Sequence, residues 1–205
     1  MKQKINNKPE MDLTRALSWS GYSCFADPQW GNPEKWYERY VLGIKEKPTR
    51  QLLFGSKIDK QIQNDPEFLP ELERYPVQQY KLEAVYKGIP LLGFADQWDP
   101  YSDVKRLADD KTGVNPWTQK KANETGQLTM YSAMLWLTEG IKPEDIEFAI
   151  RWLPTVQNAD LSIMFAKPFA IQTFKTKRRL ADVVKFLDEL EKTWIAMQKY
   201  CEDHE

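Results

Sequence analysis

The chain has one histidine, His204, and only two cysteines, Cys24 and Cys201, in 205 residues. That scarcity excludes whole chemistries. A closed structural zinc site takes about four Cys or His ligands, and a Cys-bound iron–sulfur cluster takes about four thiolates. One chain of this composition assembles neither. A Ser–His–Asp or Cys–His couple would depend on the penultimate residue, at a chain end of the kind that commonly frays. Metal chemistry therefore falls to carboxylates, which favour hard ions such as Mg²⁺ or Mn²⁺. Two cysteines far apart make no disulfide framework, so a reduced, cytoplasmic setting is expected. No apolar run approaches the ~20 residues of a membrane span, and the opening MKQKINNKPEMD has no apolar signal-peptide core. Charge of one sign is lacking too: 29 basic and 30 acidic residues leave a net −1. A protein basic all over is excluded, whereas a local basic groove set against an acidic site is not.

What is present is an ordinary aromatic-rich domain, 41% hydrophobic and 13% aromatic, large enough to bury roughly 70% of its unfolded surface. Residues 1–12 read as a flexible tail and 13–205 as one domain. Ser18 or Ser20 caps a first helical segment. Asn32 and Pro33 open another, with Trp36, Tyr37, Tyr40 and Val41 as its apolar stripe and Gly43 as its stop. A helix is expected over Thr49–Gln63, ended by Asp65-Pro66, with a short acidic helix over 67–74. Residues 78–86 and 89–98 flank Lys87-Gly88 and predict a β-hairpin, followed by a strand over 104–111. A helix over Lys120–Leu137, strands over 146–153 and 168–175, and an amphipathic helix carrying Leu180, Val184, Leu187, Leu190, Trp194 and Met197 complete the reading. This is an α/β or α+β domain.

The chemistry concentrates in Gly93-Phe94-Ala95-Asp96, Asp109-Asp110-Lys111-Thr112-Gly113 and Gln127-Leu128-Thr129-Met130-Tyr131. Residues i and i+2 of a strand share a face, so Asp109 and Lys111 stand side by side. Asp96 lies near the end of the adjoining strand, within reach of Asp109. Two converging carboxylates call for a cation, and a divalent ion could polarise a phosphoryl oxygen and activate water. Lys111 would add a point charge where negative charge develops. Gln127 and Tyr131, four apart on a helix, share the face that overlooks the strand ends.

The order G-x-x-D, D-x-K-T-G, Q-x-x-x-Y resembles the PD-(D/E)XK nuclease superfamily, in particular its RecB-like branch with the CRISPR-associated exonucleases and phage recombination nucleases. Ser18-Trp19-Ser20 with Cys24 resembles the opening helix of that branch. Gly55 to Asp59 resembles its G-x-x-x-H element. The resemblance spans roughly residues 17–137. It implies a restriction-endonuclease-like fold, a mixed β-sheet flanked by helices, and metal-dependent hydrolysis of DNA phosphodiesters, in this branch commonly from DNA ends. It implies Asp96 and Asp109 as ligands of Mg²⁺ or Mn²⁺, the Asp110 peptide carbonyl as another, and Lys111 as the catalytic lysine. Gln127 and Tyr131 would orient the site.

Three positions depart from the branch. Asp59 stands where the family has histidine, and remains a competent hard ligand. Asp110 stands where an aromatic or aliphatic residue is common, which suggests an exposed back edge of the strand. Cys24 occupies the place of a first cluster ligand, but Cys201 cannot supply the other three, so no iron–sulfur cluster is expected.

Lys120 and Lys121, and the run Lys175, Lys177, Arg178 and Arg179, are candidate contacts to DNA phosphates. Trp117 could stack on an unpaired base. The expected partner is single- or double-stranded DNA with free ends, with a second copy of the chain or a recombination protein as further partners. Loss of catalysis with retention of nucleic-acid binding is the alternative the departures leave open.

Overall fold

Residues 15–204 are described by a computed structural model of the protein; the expected tail at 1–12 lies outside them. Ser18 accepts a hydrogen bond from the Gly21 amide and caps α1 (Trp19–Ala26). Asn32 caps α2 (Pro33–Trp36), which runs on into a π turn over Tyr37–Val41. Thr49 caps α3 (Arg50–Asn64), which ends at Asp65. Segment 67–74 is not the expected helix. It is a series of turns: the Asp65 and Leu69 carbonyls accept from the Phe68 and Leu72 amides three residues on, and the Arg74 guanidinium donates to the carbonyls of Asp65, Phe68 and Leu69.

Strands β1 (Val77–Tyr86) and β2 (Ile89–Asp99) form the expected hairpin. Lys87 and Gly88 both have positive φ, at 48° and 83°, the conformation that matches strand twist in a two-residue turn. β3 (Lys105–Gly113) pairs antiparallel with β2 and parallel with β4 (Ile146–Gln157). The β3–β4 crossover carries α4 (Gln119–Glu124) and α5 (Gly126–Glu139). The single helix expected there is broken at Thr125, where the rings of Trp19 lie so close to Gly126 that an added Cβ would meet them at 2.3 Å. Beyond β4, the three-residue β5 (Ile163–Phe165) doubles back on its end, and β6 (Gln172–Thr176) pairs with its first half. The strand expected over 168–175 is thus shorter and displaced, and β5 is too brief to leave an alternation in sequence.

The sheet order is β1-β2-β3-β4-β5, with β6 also on β4. Helix α5, buried at seven positions, and the long α6 (Leu180–His204) cover one face. On the other face Ile58 and Ile62 of α3 pack with Leu72 and Leu153. Trp36 and Trp194 are buried, as their helical spacing predicts. Among the described residues no helix is long and apolar enough to cross a membrane.

Candidate active site

The site forms where two paired strands part. β2 and β3 are paired only from Gln97 opposite Ala108 to Asp99 opposite Arg106. Asp96 and Asp109 are the next residues on each side. Past this level the Asp110 amide has no β2 carbonyl to meet, and donates instead to Asp96 Oδ2 at 2.8 Å. Gln79 of β1 donates to Asp96 Oδ1 at 2.9 Å and has φ +49°, a left-handed conformation uncommon outside glycine. Gln79 and Asp96 drop out of the β1–β2 ladder together, although Gln78 and Tyr80 keep their register. On β2, Ala95 and Trp98 both enter the core cluster, so the alternation slips once between them. That slip turns the Asp96 carboxylate toward β3.

On the α5 side, Asp109 and Lys111 share a face as expected. Lys111 Nζ lies 2.5 Å from Asp109 Oδ2 and donates to Gln127 Oε1 at 3.0 Å. Gln127 Nε2 donates to Asp109 Oδ1 at 2.9 Å and to the Tyr131 hydroxyl at 2.8 Å. Tyr131 donates onward to the Phe94 carbonyl of β2 at 2.8 Å. The amide of Gln127 therefore offers its oxygen to the ammonium and its nitrogen to the carboxylate. Gly93 makes room for the ring of Tyr131, since a Cβ there would lie 2.7 Å from it. The glycine of G-x-x-D is thus a packing requirement of the tyrosine of Q-x-x-x-Y. Gly55 likewise lets α3 approach Thr112 of β3, with 3.0 Å left for a Cβ, and this brings Asp59 to the site from the opposite face.

The carboxylates feel one another. Burial, then Asp110 and Asp109, push Asp59 up to about 6. Burial, then Asp109 and Asp110, push Asp96 up as well. For Lys111 burial works downward, but Asp109, Asp96 and Asp59 together hold its ammonium above the ordinary value. Burial and the Asp109 charge raise Tyr131. Asp109 Oδ2 is buried, and the Lys111 ammonium is the cation beside it. Once ionised, the three carboxylates outnumber the one ammonium by two charges, which suits a divalent cation. Among the described residues no three Asp, Glu, His or Cys side chains stand together as a ready cage. The donor set fits an ion such as Mg²⁺, which takes one or two carboxylates and completes its shell from water and phosphate oxygens.

Asp110 corrects one expectation. Its side chain is not on an exposed edge: it is buried and ion-paired with Arg151 of β4. Neither Arg151 nor Gln79 was singled out from sequence.

The expected DNA contacts divide. Trp117, Lys120 and Lys121 line a groove of about 640 Å³ with Trp19, Trp30 and Gly126, next to Gln127. The Lys121 ammonium lies 4.3 Å from the centre of the Trp117 ring, and Trp30 is 80% exposed. Lys177 is exposed, Lys175 pairs with Glu147, and Arg179 pairs with Asp182. Arg178 is not a surface residue. It is 3% exposed and donates to Thr129, Thr176, Lys177, Ala122 and Thr125 with all of its N–H groups engaged. Its role is to tie the α4–α5 break to β6. Arg178→Ala is expected to lower stability by about 2–4 kcal/mol in chemical denaturation, because three carbonyls and two hydroxyls lose their donor.

No family model and no curated protein matches the chain at a significant level. Solved structures do. A protein of Eubacterium rectale named as a candidate exonuclease superposes with a TM-score of 0.65 at 13% identity, over 99% of this chain and 88% of the other. LHK-Exo, solved in complex with dAMP, superposes with a TM-score of 0.50 at 11% identity, over 91% of this chain and 90% of its own. At these identities the likeness establishes the fold, an α/β mixed sheet flanked by helices that the chain shares with proteins named as exonucleases.

Proposed function

We propose that the chain is a divalent-metal-dependent DNA nuclease of the RecB-like branch of the PD-(D/E)XK superfamily, acting on DNA with free ends. The observation that carries this reading is the closed set of contacts among Asp109, Lys111 and Gln127, set opposite Asp96 where β2 leaves β3. Asp96, Asp109 and Asp59, with the Asp110 peptide carbonyl, would hold the ion. Bound Mg²⁺ or Mn²⁺ would supply Lewis-acid polarisation of the phosphoryl oxygen and lower the pKa of water.

The chain's own residues do the rest. Lys111 places a fixed positive charge where the phosphoryl group gains negative charge in the transition state. Gln127 holds the ammonium and the Asp109 carboxylate in one geometry, and Tyr131 holds Gln127 against β2. Lys120, Lys121 and Lys177 are the contacts we assign to the DNA backbone, with Trp117 facing an unpaired base. Exonucleolytic action agrees with the names of the two proteins that share the fold.

The test uses linear single-stranded DNA, linear duplex and closed circles, each in Mg²⁺, Mn²⁺ and EDTA. Loss of linear DNA in either metal, none in EDTA and sparing of circles are expected. DNA binding without cleavage in either metal would overturn the assignment and leave a nucleic-acid-binding protein of nuclease fold.

A further inference from the structure

Between the two strand residues of D-x-K lies Asp110, and directly beside it in the parallel register of β3 and β4 lies Arg151. Their side chains are 5% and 3% exposed. Arg151 Nε donates to Asp110 Oδ1 at 2.6 Å and Nη2 donates to Oδ2 at 2.8 Å, a two-pronged pairing that fixes the carboxylate in plane. Nη1 donates to the Glu73 carbonyl. The ring of Tyr75 meets two guanidinium groups, Arg151 at 5.5 Å and Arg106 at 4.5 Å from its centre. Arg106 is held in turn by Asp99 and Glu73. Arg151 is therefore held from several sides.

We propose that Arg151 is a positioning residue of the active site: it keeps the Asp110 carboxylate out of the ligand set and fixes the peptide that holds Asp96. The proposal rests on the metal-dependent reading above. Two contacts join Arg151 to a proposed ligand: the guanidinium grips the Asp110 side chain, and the Asp110 amide grips Asp96 Oδ2. The crevice on this side of the sheet is lined by Asp59, Asp96, Gln79 and Asp110. Released from Arg151, the Asp110 carboxyl has Asp59, Asp96 and Gln79 among the polar residues that line its crevice. A hydrogen bond it makes to Asp59 or Asp96, or to the Gln79 amide that holds Asp96, disturbs the groups proposed to hold the cation. Lys111, Asp109 and Asp59 are the other charged groups whose fields reach Asp110 or Asp96.

The readout is Mn²⁺ affinity of the DNA-free protein, from the free-ion signal in electron paramagnetic resonance, alongside kcat and KM on linear DNA. Residues supporting metal ligands typically contribute about 10–100-fold to affinity or activity. Arg151→Met is expected to weaken Mn²⁺ binding by about that factor and to lower kcat with KM for DNA little changed. The double variant Asp110→Val with Arg151→Met lacks the released carboxyl, and its Mn²⁺ affinity is expected to return to within about threefold of the unaltered protein. A folded Arg151→Met protein with unaltered Mn²⁺ affinity would overturn the proposal, as would a double variant as weak as the single one. Should Arg151→Met fail to fold, Arg151→Lys keeps the charge without the fork. It must then bind Mn²⁺ more weakly than the double variant, and the reverse order overturns the proposal. Mn²⁺ binding without DNA cleavage by the unaltered protein removes the nuclease reading alone. Absence of Mn²⁺ binding removes both.

Discussion

Lys111→Met is expected to lower the metal-dependent loss of linear DNA by about 10²–10³-fold or more, the usual scale for deleting a fixed group aimed at developing charge. DNA binding at low salt should change by less than about threefold, since Lys120, Lys121 and Lys177 remain on the surface. The two effects separate because Lys111 does not face outward along a groove. It is held between Asp109 Oδ2 and Gln127 Oε1. Replacing it with an apolar side chain of similar length preserves volume, so altered packing is not the source of the loss. Asp109→Asn should show the same collapse of rate. It leaves Gln127 with an amide in place of a carboxylate and removes one of the three charges that call for a cation. Single-turnover cleavage, with binding measured in parallel, checks both variants. Retention of more than a tenth of the rate by either would place the chemistry elsewhere.

The second large effect concerns stability in the absence of divalent ions. A carboxyl in the unfolded chain titrates near 4, whereas Asp59 is pushed up to about 6 in the fold, by burial first and then by Asp110 and Asp109. Between those values the folded state binds more protons than the unfolded state, so stability falls as pH rises through that window. Asp96 is raised as well, by burial and its neighbouring carboxylates, and extends the decline upward. In EDTA the loss from pH 4 to pH 8 should amount to a few kcal/mol, and most of it should vanish on adding Mn²⁺ at pH 8. Asp99 has the opposite sign. Its bonds to Ser102 and Arg106 hold it below the usual carboxylate range, so it affects stability only in stronger acid. Melting temperatures at pH 5, 6.5 and 8, with EDTA and with Mn²⁺, test this, and Asp59→Asn should flatten the EDTA series. An EDTA melting temperature that rises from pH 5 to pH 8 would contradict the assignment of buried, mutually repelling carboxylates.

Local signals carried most of the architecture. The hairpin at Lys87-Gly88, the capped helix from Thr49 and the apolar stripe of α6 are each specified by residues close in sequence. Strand and helix periodicity made the pairs Asp109 with Lys111 and Gln127 with Tyr131 legible, and the motif order of the resemblance joined them to Asp96, whose turn toward β3 depends on a slip in the β2 alternation. What was not legible depends on pairings distant in sequence. Arg151 carries no local signal: it is one of two charged residues, with Glu147, in a mostly apolar strand. Asp110 was an unexplained charge in another. Joining them requires the β3–β4 register, which neither segment contains. Arg178 looked like part of a basic surface run because its internal acceptors come from α4, α5 and β6. The break at Thr125 adjoins Gly126, whose close neighbour is a tryptophan more than a hundred residues upstream. Charge runs identify candidates for binding, but only burial separates a surface cation from a structural one.

The Asp96 carboxylate is also a rung of the sheet. It receives the Asp110 hydrogen that a continued β2 would have taken, so one oxygen serves strand cohesion while the residue is proposed for cation binding. A sequence drifting away from catalysis could not discard this aspartate freely, because the amide of its neighbour would be stranded inside the protein. Conservation of Asp96 in related chains would therefore say little about whether they cut DNA. Lys111 spans no such gap between strands, and its retention or loss is the more telling record of activity.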